Sequence, residues 1–345
     1  SVRVDPTLLP KIHEYGAFDI DACFNCGNCT AICPLSSEDE NFPRRMIRYA
    51  QVGMKDKLLD SKELWLCYYC GKCSDTCPRQ AEPGEFMAAA RRYAIANYDK
   101  TSMARRLYTS NIFTAILLLG LTIFFGGGLV GYQTGVIPVD LLHRLFSFLP
   151  VPLFKVPVPA QPAYAVSPFS FAPAEPVHDV GVIALVLVLL ALIVNAVTMM
   201  GRVWRTMPAG NPGNASSSTF RRAVLAARDV IVEIIVEQRY RSCEEDKESD
   251  SVQPWYLQRW FIHWAIMWGF LGLLAATALN FMFKPPDVAV PLWYPVRLLG
   301  MAAGILLVYG CTVFIVARFK KLDKYSAHSL LSDWLLIWLL WLTGV

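Results

Sequence analysis

The sequence predicts an all-α chain in two parts, a soluble helical domain followed by a bundle of at least five membrane-spanning helices. Three observations carry this prediction. Only 17% of the 345 residues are charged, against about 25% in a soluble globular protein. The charge is unevenly spread: residues 1–110 hold 29 charged side chains, and residues 111–345 hold 31 over more than twice the length. Finally, eight of the ten cysteines lie in the charge-rich third, in two runs of identical spacing. A single soluble domain is excluded, and so is a wholly membrane-embedded one. The net charge of +4, with no Lys/Arg-rich run, offers no nucleic-acid surface.

The soluble part covers residues 1–105. Cys23, Cys26, Cys29 and Cys33, followed by Pro34, read C-x2-C-x2-C-x3-C-P, and Cys67, Cys70, Cys73 and Cys77, followed by Pro78, repeat the pattern. Thiolates at this spacing turn into one concavity and take three corners of a cubane cluster. The fourth cysteine of each run, fixed by its proline, is placed to reach the other cluster. One [4Fe–4S] cluster is thereby assigned to Cys23, Cys26, Cys29 and Cys77, and the second to Cys67, Cys70, Cys73 and Cys33. Which cysteine serves which cluster stays open beside the eight as a set. Disulfides are disfavoured in a cytoplasmic domain, and zinc takes two CxxC pairs per site rather than a triple closed by Cys-Pro. Between the runs, residues 43–51 and 62–66 read as helical pieces. A longer helix over 83–98 carries Phe86, Ala89, Ala90, Tyr93 and Ala94 on one face. The domain reads as an α-helical dicluster ferredoxin.

The membrane part covers residues 106–345. Its uncharged stretches predict helices at about 112–132, 180–201, 260–283 and 298–317, each able to span about 30 Å of hydrocarbon. A fifth runs from about 330 to 345 and is expected to continue beyond Val345. Basic residues set the orientation. With the N-terminal domain in the cytoplasm, the inner segments hold sixteen Lys and Arg, nine of them in 202–259, against four in the outer ones. The Pro-rich stretch 133–179 reads as an outer loop, with a short interfacial helix over 139–149. The inner loop 202–259 opens with a flexible piece (208–218). It then carries an amphipathic helix over 220–239, with Val224, Ala227, Ile231, Ile234 and Ile235 at helical spacing. The acidic stretch 244–250 reads as a solvated loop. Cys243 and Cys311 have no motif around them and read as unligated thiols.

A family resemblance rests on these residues. CFNCGNCTAICP at 23–34 and LWLCYYCGKCSDTCPR at 64–79 resemble the C subunit of heterodisulfide reductase, over about residues 15–100. HWAIMWGFLGLL at 263–274 and SDWLLIWLLWLTG at 332–344 resemble that enzyme's E-type cytochrome b and the nitrate reductase gamma subunit. The two parts fused resemble the C subunits of the quinone-interacting membrane-bound oxidoreductases (Qmo) of sulfate reducers. The resemblance implies a place in the cytoplasmic membrane, one or two b-type haems, and menaquinol as substrate. It also implies soluble flavin- and iron–sulfur-containing partners that pass electrons to adenylylsulfate reductase.

The chain has five histidines. His13 lies in the soluble domain and reads as an ordinary surface residue. The candidate haem ligands, in falling order, are His263, His328, His178 and His143. His263 sits just inside an uncharged run, where an ionisable group is costly unless it has a role, and His328 lies just before the fifth helix. His178 is at the outer end of the second helix, and His143 is in the expected interfacial helix. The family pattern places paired histidines on single helices, from which this chain departs, because residues 264–283 hold no second one. Oxidation of a quinol needs a proton acceptor beside apolar walls, for which His143, Asp140, His178 and Asp179 are the candidates; Asp179 reads equally as a helix cap. The segment 67–77, with Lys72, Asp75 and nearby Arg79, reads as the face met by a soluble acceptor.

The chain so read is an electron wire from quinol over haem b and two clusters to a soluble partner. Three alternatives stand beside it. One is a relative serving a heterodisulfide or other cytoplasmic acceptor, the second a wire run backwards to reduce quinone, and the third a haem-free anchor that holds a ferredoxin domain at the membrane.

Overall fold

The computed structural model describes residues 3–37, 41–138, 140, 144, 174–206, 219–238, 240–241, 254–283, 290–321 and 329–345. The chain is all-α, with no strand among the described residues. Six short helices come first: α1 (Leu8–His13), α2 (Asn28–Ile32), α3 (Arg44–Gln51), α4 (Lys55–Leu59), α5 (Glu63–Leu66) and α6 (Lys72–Asp75). α7 (Pro83–Tyr98) is the long helix of this part, and α8 (Met103–Thr109) follows it. The helices expected over 43–51, 62–66 and 83–98 all form.

α7 starts with Pro83 at its first turn, where a missing N–H costs nothing. Its buried face alternates large and small residues, Phe86 and Met87 with Ala89, Ala90 and Ala94. The alanines let α1, α3 and α5 pack close to its axis. Leu8, Ile12, Met46, Ile47, Leu58 and Leu64 close the core around it, each at 0% exposure. The apolar side chains of these short helices have nowhere else to go, and at about 25 cal/mol per Å² their shared burial offsets the poor intrinsic stability of four- to eight-residue helices.

Four helices are long and apolar enough to cross a membrane. They are α9 (Asn111–Gln133), α10 (Ala174–Thr206, its apolar span Val177–Arg205), α12 (Arg259–Phe283) and α13 (Pro295–Lys320). Spans of 23–29 residues rise about 35–44 Å. The helices outrun the uncharged stretches by one to six residues at their ends. The backbone ladder continues through Arg202, Arg205, Arg318 and Lys320, and cations in a last turn favour the helix dipole. Ser110 caps α9, its Oγ accepting from the Phe113 N–H at 3.2 Å. α14 (Leu331–Gly344) is a shorter apolar helix of 14 residues. The amphipathic helix is α11 (Thr219–Val236), which ends three residues earlier than its periodicity predicts. The segments 145–173, 207–218 and 242–253, with Cys243 and the acidic stretch, lie outside the described residues, as does the interfacial helix over 139–149 apart from the helical Asp140 and Arg144.

The chain divides into two compact units. The first comprises residues 1–109, 195–264 and 316–334. Within it Arg202 pairs with Asp56 (3.5 Å) and Asp60 (3.4 Å), and Arg92 of α7 pairs with Asp333 (3.1 Å). The second comprises residues 110–194, 265–315 and 335–345. There α12 and α13 approach through small residues. A Cβ at Gly269 would stand 2.6 Å from the Leu307 backbone nitrogen, and one at Gly272 would stand 2.7 Å from the Ala303 Cβ. Lipid offers no hydrophobic drive between helices, so close backbone approach supplies the association instead. Trp341 of α14 adds a hydrogen bond to Thr312 Oγ1 at 3.0 Å.

Gly269→Val should therefore force these helices apart, costing about 1–3 kcal/mol. The detergent-solubilised protein should melt at a lower temperature. Gly120→Val, whose Cβ meets nothing within 4 Å, should leave the melting temperature in place.

Candidate cluster sites and membrane histidines

Each cysteine run folds as a loop into a short helix, and the two loops repeat each other residue by residue. Asn25 and Tyr69, before the second cysteine of each run, have φ of 60° and 54°. Gly27 and Gly71, after it, have φ of 94° and 79° and cap α2 and α6. Two left-handed residues around one cysteine reverse the chain twice and bring three thiols onto one side. Glycine takes such a φ freely, whereas Tyr69 takes it at a cost. The Tyr69 hydroxyl donates to Glu85 Oε2 at 2.7 Å, and Glu85, buried at 4% exposure, faces Arg92 at 3.6 Å. Burial and the Glu85 carboxylate together push the Tyr69 phenol well above its ordinary pKa, so it remains a donor.

The two loops interlock. α2 packs on α6, and Asn28 Nδ2 donates to the Thr76 carbonyl of the opposite run. The packing brings thiols of the two runs near one another. Burial raises the Cys29 pKa most, and the charges of Cys23, Cys26 and Cys77 add to it. Burial likewise leads for Cys73, followed by Cys67 and Cys70 and then by Cys29 and Cys33. Cys33, Cys67, Cys70 and Cys73 also line one cavity, with Tyr68 and Met87 among its walls. N–H groups of Tyr69 and Ala81 point at the sulfurs of Cys67 and Cys77, both at 3.4 Å.

Four thiols around a mostly apolar cavity fit a cluster better than a lone ion. Among the described residues no three His, Cys, Asp or Glu side chains are arranged to hold a single metal ion. Burial raises the pKa of the Cys67 and Cys73 thiols in the metal-free protein, whereas irons bind them as thiolates. The two groups differ in access. Cys26 is exposed, with Phe24 (62%) and Ile32 (40%) exposed around it. The Cys67–Cys73 loop is covered on one side: Tyr68 donates to Glu233 at 2.9 Å and stacks on Tyr240, and Arg259 lies over the Tyr69 ring. Of the residues expected at the acceptor face, Asp75 and Arg79 are exposed and Lys72 is half-buried. Both exposed groups flank Cys77 in sequence.

Residues 19–81 match the 4Fe-4S dicluster domain family. Over 64 residues the chain is 34% identical to the C subunit of the H(2):CoB-CoM heterodisulfide,ferredoxin reductase of Methanothermobacter thermautotrophicus, which is 19% of this chain and 35% of that one. It is also 34% identical over 57 residues to the iron-sulfur C subunit of the CoB--CoM heterodisulfide reductase of Methanopyrus kandleri, covering 16% of this chain and 30% of that one. The chain spans about a third of the length of these curated relatives. The N-terminal region is thus a 4Fe–4S dicluster domain homologous to the C subunit of heterodisulfide reductase, in a chain that also carries four membrane-length helices.

His263 and His178 are both described, and each is held by a carboxylate. His263, in the first unit, bonds through Nδ1 to Glu237 Oε1 at 2.8 Å, leaving Nε2 as its second ring nitrogen. Glu237 is 7% exposed and has a φ of 51°, so the turn after α11 is bent to place it there. In the second unit His178 Nδ1 lies 3.1 Å from Oδ1 of the fully buried Asp179, with its ring against Phe281 at 4.2 Å. Asp179 thus faces His178 rather than capping a helix start, because α10 begins five residues earlier, at Ala174. Asp140 is exposed, and His143 and His328 lie outside the described residues. His13 meets Asp21 at 3.3 Å at the surface, and Cys311 is buried in α13.

Sequence reasoning missed Glu237, Glu233, Tyr240 and Tyr69. Glu237 sits at the end of the amphipathic stretch and carries no motif. For Tyr69, its position as the counterpart of Asn25 in the repeat was the available signal.

The crossed grouping has a direct consequence. Cys77→Ser should abolish the same EPR signal as Cys26→Ser, although Cys77 belongs to the other run, and Cys33→Ser should mimic Cys70→Ser. If each fourth cysteine instead tracked its own run, the grouping would be wrong.

Proposed function

We propose that this chain is the membrane subunit of a respiratory electron-transfer complex. In this reading it oxidises menaquinol and passes the electrons through haem b and two [4Fe–4S] clusters to cytoplasmic flavin- and iron–sulfur-containing partners, feeding adenylylsulfate reductase. The observation that carries it is one chain joining a dicluster domain to four membrane-length helices with a carboxylate-held histidine in each compact unit. A dicluster domain alone needs no membrane, and an anchor alone needs no histidine held by a buried carboxylate.

When bound, haem and clusters each take up and release one electron, which is the chemistry the protein itself lacks. The chain's residues supply the rest. Cys23, Cys26, Cys29 and Cys77 hold the first cluster, and Cys67, Cys70, Cys73 and Cys33 hold the second. Glu237 fixes the tautomer of His263 so that Nε2 is the free ligating nitrogen, as carboxylates do for ligating imidazoles. His328 would supply a second ligand to that haem. His178, at the outer end of α10 in the orientation set by the basic residues, would accept one of the two protons that leave the quinol, Asp179 would stabilise the imidazolium so formed, and Phe281 would provide an apolar wall. The excess of basic residues in the segments on the side of the dicluster domain supports a cytoplasmic place for it.

An optical spectrum of the purified protein tests the reading. A dithionite-reduced b-type haem band should be present, with iron analysis giving eight non-haem irons for the two clusters. His263→Ala should remove at least one haem signal and leave the cluster EPR intact, because the dicluster domain closes its own core. A spectrum without haem in the wild-type protein would leave the haem-free anchor in its place.

A further inference from the structure

We propose that Tyr68 and Tyr240 are the bridge through which electrons pass between His263 and the site formed by Cys33, Cys67, Cys70 and Cys73. That site is thereby the inner of the two, and the Cys23, Cys26, Cys29 and Cys77 site is the outer one that meets the soluble partner. The inference rests on the reading of His263 as an axial ligand.

The geometry is continuous within one compact unit. Tyr68 lines the cavity together with the four inner thiols. Its ring stacks on Tyr240, with centroids 6.0 Å apart and planes 17° apart. Tyr240 in turn meets His263 edge to face, at 5.9 Å and 82°. Electron tunnelling falls off more steeply across gaps than through packed atoms, and here three aromatic rings stand in series. The outer site differs, since its Cys26 faces solvent.

One short segment holds both ends of the series. Glu233 accepts from the Tyr68 hydroxyl (2.9 Å), the Ile235 carbonyl accepts from Trp264 Nε1 (2.9 Å), and Glu237 binds His263 (2.8 Å). Residues 233–237 therefore fix the cluster loop and the start of α12 against each other, and the rings keep their spacing. The step is balanced simply. The donor on the histidine side loses one electron, the inner cluster gains one, no bond forms or breaks, and both tyrosines stay neutral with their protons. It follows that the rings matter and the Tyr240 hydroxyl does not.

The experiment mixes menaquinol with the purified full chain bearing its haem and clusters, and follows cluster bleaching by stopped-flow. Haem content, cluster EPR and midpoint potentials are measured on each variant. Tyr240→Leu should slow cluster reduction several-fold with haem, EPR signals and potentials unchanged, and Tyr240→Phe should match the wild type. Tyr68→Leu provides the second test and should slow reduction in the same way. Leucine variants that reduce their clusters at the wild-type rate would overturn the bridge alone. So would a Tyr240→Phe variant as slow as Tyr240→Leu, or leucine variants of both tyrosines that lose their cluster signals, since the rings would then serve packing. If His263→Ala keeps all its haem, the axial-ligand reading falls and takes the bridge's membrane end with it.

Discussion

The dicluster domain depends on one interaction, the packing of α2 against α6, which sets the two cysteine runs side by side. The core around α7, closed by apolar side chains of α1, α3 and α5, holds this packing in place. Metal binding and folding are coupled in such a domain, since the sites do not exist in the unfolded chain. A core substitution, at Phe86 for example, acts on both runs at once, since Cys23, Cys33, Cys67 and Cys77 pack against that core.

The same logic governs the histidines. An imidazole next to lipid rotates and shifts its proton unless a neighbour fixes it. In each unit the neighbour is a buried carboxylate, Glu237 for His263 and Asp179 for His178. A buried carboxylate is itself expensive without a partner, so each pair secures both of its members. The bent backbone at Glu237 and the left-handed Tyr69 are local costs borne at the positions that aim these groups.

What the sequence made legible follows from the range of the interactions. Cysteine spacing is local and covalent, so the two loops and the dicluster domain they form were readable, down to the repeat of Gly27 and Gly71. Helix positions were readable because an apolar run must be satisfied by its own backbone. Their ends were not, since Arg202 and Arg318 extend a helix as well as leucine does. The contacts of Tyr68 with Glu233 and of Arg92 with Asp333 join residues 165 and 241 positions apart. Nothing in the residue types announces such pairings. Lys72 read as exposed as Arg79, and is half-buried.

The glycine contacts between α12 and α13 bear on where anything large can be housed. With Gly269 set against the backbone of Leu307 and Gly272 against Ala303, the two helices enclose no volume along that stretch, not even enough for a methyl group. A flat macrocycle or a quinone ring is sterically shut out there. A prosthetic group on this part of α12 would have to lie along its other faces, with the glycine seam behind the helix.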